Sequence, residues 1–251
     1  RNLFLILSLV GSAAFAADQN AADQNASAIV KDAFDYWRGT SSRIVAEMTV
    51  HRPDWERKMG FEGWTQGSDK NLVRFTAPAK DAGNASMTID DTVWSYTPKL
   101  NKVIKIPPSM MNQSWMGSDF SYEDLSRDDE VVSDYTHRLL ATEQSEGKKL
   151  FVIESIPRED SAIVWGKEIF RIREDHLLLG REFYDQEGKL VKRLTALKLA
   201  SLGGKLIAVE LKMEKVEDPD EWTRVIHTDA EFDLKLPDSL FTLARLSTLG
   251  R

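Results

Sequence analysis

The chain has 251 residues, with 33 basic and 40 acidic side chains, a formal net charge of −7 at pH 7, and no cysteine. An acidic chain without a basic tract is not expected to bind nucleic acid, or to attach to anionic lipid surfaces by charge. The absence of cysteine excludes disulfides and thiolate metal sites.

The first residues have the pattern of a secretory signal whose start is truncated. The stretch Leu3–Val10 is apolar almost throughout, and small residues follow as far as Ala16. This run is shorter than the roughly 20 residues that span a bilayer, and it ends in an A-x-A site. We therefore predict a signal peptide over residues 1–16, cleaved after Ala16 on export to the periplasm, and a flexible leader over residues 17–26.

Residues 27–251 are predicted to form a single domain that begins with one helix. From Ser27 onward, apolar side chains recur at i, i+3, i+4 and i+7, and Gly39 gives a stop signal. The apolar positions are Val30, Ala33, Phe34 and Trp37. A helix of this length must lay its apolar stripe on another element to be stable, and we expect that element to be a sheet.

After this helix the apolar period changes to two. Runs such as 44–50, 55–61, 72–76 and 137–143 alternate apolar and polar side chains, and short connectors such as Gly203-Gly204 separate the later runs. Period-two runs joined by short turns predict antiparallel neighbours. We predict a mainly β fold with about eleven strands in one large curved antiparallel sheet, whose outer face is wet and whose concave face is apolar.

An apolar loop after the run 102–106 is the most informative feature of the sequence. It carries large side chains that no turn requires: Met110, Met111, Trp115, Met116 and Phe120. Leaving these side chains in water is unfavourable. We therefore predict that this loop is a lid, which covers a cavity, binds an apolar ligand, or does both.

Apolar side chains on the strands are predicted to line the concave face beneath this lid. The predicted cavity residues are Met48, Met59, Phe61, Phe75, Met87, Ile89, Trp94, Tyr96 and Ile104. Methionine adapts its shape and suits a cavity that accepts variable acyl chains. For any one of these residues, an ordinary core position is an equally good interpretation. Together they favour a cavity, because a single curved sheet with so much apolar surface requires helices or a ligand to cover it.

The sequence carries no recognisable catalytic or metal-binding motif. The four histidines are scattered without an HExxH pattern, and Gly117-Ser118-Asp119 lacks the second glycine of a G-x-S-x-G elbow. Acidic clusters such as 217–221 lack the spacing of a calcium loop and are interpreted as solvated turns. We therefore expect no catalytic residue and no metal site.

Several short motifs together carry a family resemblance. They are Trp55 with Arg57 and Met59, residues 70–75 before Pro78, Trp94-x-Tyr96-x-Pro98, Ile104 with Ile106-Pro107, and Met116–Leu125. This set resembles the outer-membrane lipoprotein-sorting protein family, most closely the LolA-like branch found beside resistance-nodulation-division (MMPL-type) exporters. The resemblance runs from about Ala28 to near Phe241.

The resemblance implies an unclosed β-barrel whose mouth is covered by helices and loops, and which holds acyl chains while it crosses the periplasm toward the outer membrane. It implies no catalysis, no cofactor and no stable insertion into a membrane. The implied partners are a lipid or the acyl chains of a lipoprotein, an inner-membrane exporter and an outer-membrane acceptor. In such carriers an arginine helps to latch the lid, and Arg43, Arg52 and Arg57 are the candidates here.

Two functions of different classes stay open at this point. The first is a non-enzymatic periplasmic carrier that shuttles a lipid or lipoprotein. The second is a cargo-free docking or accessory subunit of a resistance-nodulation-division-type exporter, in which the aromatic loop is a protein contact. A periplasmic hydrolase would be a third function, and no motif favours it.

Overall fold

Thirteen strands and four α-helices make up the part of the chain that a computed structural model describes, residues 25–126, 130–161 and 163–248. The strands are β1 (Ser41–Arg52), β2 (Trp55–Gln66), β3 (Lys70–Ala77), β4 (Ala85–Ile89), β5 (Thr92–Thr97), β6 (Lys102–Lys105), β7 (Tyr135–Ser145), β8 (Lys148–Pro157), β9 (Lys167–Arg173), β10 (Leu178–Tyr184), β11 (Leu190–Leu202), β12 (Lys205–Lys215) and β13 (Trp222–Phe232). The helices are α1 (residues 25–38), α2 (Tyr122–Ser126), α3 (Glu130–Ser133) and α4 (Leu243–Thr248), with 3-10 turns η1 (Pro108–Met110), η2 (Trp115–Gly117) and η3 (Asp238–Leu240).

Helix α1 begins earlier than its periodicity indicated. Its first two described residues, 25 and 26, belong to the predicted leader and are helical here. Ala26 is fully buried in the same cluster as Val30 and Phe34, and this extends the apolar stripe by one turn. The predicted signal peptide and residues 17–24 lie outside the described residues.

All thirteen strands belong to one antiparallel sheet, in the order β6-β5-β4-β3-β2-β1-β13-β12-β11-β10-β9-β8-β7. Two meanders, β1–β6 and β7–β13, meet where β1 pairs with β13, and β6 and β7 are the two unpaired edges. The predicted fold class, a mainly β chain with one unclosed antiparallel sheet and an N-terminal helix, is confirmed. The strand count exceeds the predicted eleven, because tight turns such as Asp90-Asp91, with Asp90 at a φ of 50°, reverse the chain within a short span.

The connection from β6 to β7 must travel from one edge of the sheet to the other. Its described residues, 106–126 and 130–134, contain η1, η2, α2 and α3, and we call them the crossing segment. Trp115 of this segment packs on β1–β3, and Val131 packs between α1 and strands β8 and β9. The crossing segment and α1 therefore cover one face of the sheet, which we call the inner face.

Strand register separates this inner face from the outer face. Met48 pairs with Met59, and Phe61 pairs with Phe75, so these four side chains share the inner face with the cluster around Trp115. Leu72 and its partner Met87 alternate with these positions and point to the outer face. There a C-terminal segment covers them with Leu236, Leu240, Phe241 and Leu246. Both faces of strands β3–β5 are therefore buried.

Candidate functional site

A cavity of about 160 Å³ lies between α1, strands β10–β12 and the crossing segment. Its walls are mainly apolar. Helix α1 contributes Phe34 and Trp37, the sheet contributes Leu194, Ala196, Leu211 and Met213, and the crossing segment contributes Phe120 and Asp124. The i, i+3 and i+4 spacing that predicts α1 also places Ala33, Phe34 and Trp37 on the side of the helix that faces this cavity.

None of the predicted cavity residues lines this cavity. Met48, Met59, Phe61 and Phe75 lie on the inner face, where they pack beneath Trp115. Met87, Ile89, Trp94 and Tyr96 lie on the outer face under the C-terminal segment. Ile104 is 48% exposed on the edge strand β6. The prediction that the four outer-face residues line an inner cavity is therefore wrong. A period of two separates the two faces of a strand, but it does not show which face is concave when both faces are covered.

The predicted lid residues are mostly brought to the inner face. Trp115 is buried, and Met116 and Phe120 pack around it in the same cluster. Met111 is buried in a neighbouring cluster with Val93 and Ile106. Met110 remains exposed in turn η1. Among the lid residues, Phe120 alone reaches the cavity.

Trp115 anchors the crossing segment through both packing and a hydrogen bond. Its ring centroid lies 5.1 Å from that of Phe75 and 6.3 Å from that of Phe61, and the second pair meets edge to face. Its indole Nε1–H donates to Ser86 Oγ over 3.0 Å, so the buried polar atom is satisfied. Ser86 points to the inner face because it pairs with Val73, the position that alternates with Leu72.

Arg52 is the candidate arginine that forms an ion pair with the crossing segment. Its guanidinium donates to both carboxylate oxygens of Asp119, over 3.1 Å and 3.0 Å, and the Asp119 side chain is fully buried. Thr223 on β13 donates to the same carboxylate over 2.7 Å and accepts the Asp119 backbone N–H. Arg43 instead pairs with acidic residues of β2 and β13, and Arg57 pairs with Asp81 in the β3–β4 connection.

A second ion pair joins the crossing segment to the sheet at the cavity wall. Asp124 on α2 lies 2.6 Å from Nζ of Lys192 on β11, and each side chain is 7% exposed. Burial acts to raise the pKa of Asp124, but attraction to Lys192 and its hydrogen bond outweigh burial, so that the pKa lies below its ordinary value. Ser121 and Asp124 also form a capping box, in which each backbone N–H bonds to the other side chain.

Beyond this pair lies a network whose hydrogen bonds join three strands of the sheet, β7, β9 and β10. Arg181 on β10 bonds to the fully buried Glu168 on β9, which also accepts the hydroxyl of Tyr135 on β7. Burial acts to lower the pKa of Arg181, but Glu168 outweighs it and raises that pKa above the usual range, so the guanidinium stays charged. Arg181 also lies over the rings of Phe170 and Phe183. Sequence reasoning missed this network and Asp124, although Ser121-x-x-Asp124 is readable as a capping box.

Two absences concern the described residues alone. No group of three or more His, Cys, Asp or Glu side chains within 25–126, 130–161 and 163–248 is arranged to hold a metal ion. In the same ranges, every helix falls short of the length and apolar character that a membrane crossing requires.

The fold is that of the LolA-like proteins. A DUF1329 family protein from Desulfovibrio piger has a TM-score of 0.82 at 22% identity, with 90% of this chain and 99% of that chain covered. A domain assigned to outer membrane lipoprotein sorting from Vibrio parahaemolyticus has a TM-score of 0.77 at 24% identity, with the same coverage. A LolA superfamily protein from Nitrosomonas europaea has a TM-score of 0.73 at 20% identity, over 87% and 98% of the two chains.

A family model described as "Uncharacterized protein" matches residues 67–248, which is most of the chain, and the protein belongs to that family. Curated proteins give no match. The predicted resemblance to the LolA-like proteins is confirmed at the level of the fold. Its finer part, the branch beside resistance-nodulation-division exporters, stays a prediction.

Proposed function

We propose that the protein is a non-enzymatic periplasmic carrier, which binds the acyl chains of a lipid or lipoprotein and conveys them toward the outer membrane. The observation that carries this proposal is the covering of the inner face. An apolar trough in one unclosed sheet is closed by α1 and the crossing segment, neither of which is a strand of that sheet. Such covers can move without breaking the sheet. The signal-like pattern of residues 1–16 supports export.

The size of the cavity indicates that this is a closed form. A cavity of about 150 Å³ accommodates a benzene-sized apolar group. The cavity here is about 160 Å³ and is therefore too small for a full acyl chain. Burying about ten methylenes gains about 8 kcal/mol, and separating a buried ion pair costs about 3–5 kcal/mol. Two such pairs join the crossing segment to the sheet, so the gain from an acyl chain is of the same order as the cost of separating them.

Native mass spectrometry of the mature protein, purified from periplasm without detergent, tests the carrier function. We expect bound mass that is lost on lipid extraction, and uptake of an added acylated peptide by the extracted protein. Trp115→Ala should change uptake, because Trp115 anchors the crossing segment on the inner face. Trp94→Ala is the matched control, since Trp94 lies on the outer face. A folded protein with no bound mass and no uptake would overturn the proposal.

The same geometry supports a second candidate, a cargo-free docking subunit of a resistance-nodulation-division-type exporter. Trp115 and Met111 are buried in the trough, so the chain's own side chains occupy much of the space that cargo would need. Trp55, in contrast, is 49% exposed, and exposed tryptophan is a common anchor of protein contacts. Loss of exporter co-purification in Trp55→Ala, together with an apo mass in the wild type, would favour this candidate.

A further inference from the structure

The cavity is apolar except for a few polar side chains, and one of them arrives with the crossing segment. Asp124 on α2 lines the cavity, and its carboxylate pairs with the ammonium of Lys192, which comes from β11 and is not itself a lining residue. Lys192 Nζ also lies 4.6 Å from the ring centroid of Phe183 and 5.1 Å from that of Trp165. The ammonium is thus held between two aromatic rings and one carboxylate, away from water.

The cations around the cavity differ in whether they would keep their carboxylate partners when the crossing segment moves. Arg181 and its partner Glu168 both lie on sheet strands, with Tyr135 as a third member, and would stay together if the crossing segment moved. Lys192 has no comparable partner on the sheet. Lys192 forms its ion pair, within residues 25–126, 130–161 and 163–248, with Asp124. Asp124 belongs to the crossing segment.

Opening would therefore leave one buried cation uncompensated. Entry of an acyl chain requires the crossing segment to move, because the closed cavity is too small, and Asp124 moves with it. A buried ammonium without a partner is strongly unfavourable, and an anion brought by the ligand would remove this penalty. A neutral ligand of the same length would not.

We propose that Lys192 is the headgroup site of the carrier, and that its cargo is an anionic amphiphile whose carboxylate or phosphate group takes the place of the Asp124 carboxylate. This inference rests on the proposed carrier function. It assigns α2 a direct role, because the Asp124 side chain occupies the headgroup position in the closed form. The acyl chain then lies along the apolar wall formed by Leu194, Leu211 and Met213.

The test compares ligands that differ only in headgroup charge, with delipidated full-length mature protein at pH 7.5. Palmitate is compared with hexadecanol, and phosphatidic acid with diacylglycerol, by native mass spectrometry and by displacement of a fluorescent fatty acid. We expect at least one anionic member to bind about tenfold tighter than its neutral partner. Lys192→Met should bring that ratio close to one. Lys212→Met is the matched control, because Lys212 lies on the adjacent strand β12 and pairs with Glu214 instead.

Asp124→Asn is a second variant, which can be tested even if Lys192→Met does not fold. It removes the ion pair that opening must break, so it should strengthen the binding of both the anionic and the neutral member of each pair. Equal binding of charged and neutral members in the wild type, with affinities unchanged in both variants, would overturn the headgroup site and leave the carrier intact. Binding of no amphiphile at all would overturn the carrier itself. Inorganic phosphate is the third arm, and phosphate binding as tight as that of the lipids would also overturn the headgroup site.

Discussion

Truncating Arg52 is expected to destabilise the protein more than truncating any other arginine that was a candidate for the latch. The Asp119 carboxylate is fully buried and accepts three hydrogen bonds, two from Arg52 and one from Thr223. In Arg52→Met the aliphatic stem is retained, but the carboxylate keeps one donor. Removing one partner of a buried pair costs about 3–5 kcal/mol, because the other charge is left buried and unpaired.

Arg43→Met is the comparison variant, and we expect it to destabilise the protein less than Arg52→Met. Arg43 bonds to more carboxylates than Arg52, but two of its partners, Asp229 and Glu231, are more than half exposed. Pairs exposed to this degree contribute about 1 kcal/mol or less. A count of salt bridges would therefore rank Arg43 first, whereas burial ranks Arg52 first.

Urea denaturation at pH 7.5 distinguishes the two rankings through the free energy of unfolding, at an unchanged m-value. Hydrogen exchange should show faster exchange in residues 115–126 of Arg52→Met, because the crossing segment has lost one of its ties to the sheet. In the double variant Arg52→Met, Asp119→Leu, part of the stability should return, since no buried charge is left unpaired. Equal destabilisation by Arg52→Met and Arg43→Met, or a double variant no more stable than Arg52→Met, would refute the reasoning.

Three further predictions concern single side chains. Burial lowers the pKa of His137 from 6.5 to about 4, so on acidification the unfolded chain is protonated at a higher pH than the folded protein. The contribution of His137 to the free energy of unfolding should be fully present above pH 6.5, and it should fall by up to about 3 kcal/mol as the pH drops toward 4. His137→Gln should lack this part of the pH dependence in urea midpoints, and unchanged slopes would contradict the assignment. Trp115→Phe should cost about 1–3 kcal/mol by leaving Ser86 without its donor, and adding Ser86→Ala should recover part of the loss. Phe241→Ala should lower the free energy of thermal or urea unfolding by about 3–5 kcal/mol without changing lipid uptake, since Phe241 packs on the outer face. Altered uptake by a folded variant would contradict the placement of the lipid site on the inner face.

The fold could be predicted because each helix or strand has a recognisable pattern in its own stretch of sequence. Helix α1 has a 3.6-residue period that ends at a glycine, and the strands have a period of two with turn residues between them. The burial of the apolar loop could also be predicted from composition, because leaving its Trp and Met side chains in water is unfavourable. Trp115 is buried against the inner face, as such a loop requires.

The two faces could not be assigned from the same signals. Trp94 and Met87 are as apolar as the inner-face residues, yet they lie under the C-terminal segment that follows β13. This contact joins parts of the chain that are about 150 residues apart, and no local period records it. The ion pairs were hidden for the same reason, since Arg52 and Asp119, or Asp124 and Lys192, meet only when the crossing segment lies across the completed sheet.

The two ion pairs that join the crossing segment to the sheet have the same polarity. In both, the carboxylate belongs to the segment and the cation belongs to a strand: Asp119 with Arg52, and Asp124 with Lys192. Displacing the segment would therefore remove two negative charges from the trough. Lys192 would lose its partner, whereas Arg52 would keep Glu221, which lies 3.5 Å away. The inner face would therefore be more positive when open than when closed, although the chain as a whole has a net charge of −7. The charge that selects an anionic cargo would thus be available only in the open form, while the acidic exterior would repel anionic membrane surfaces in both forms.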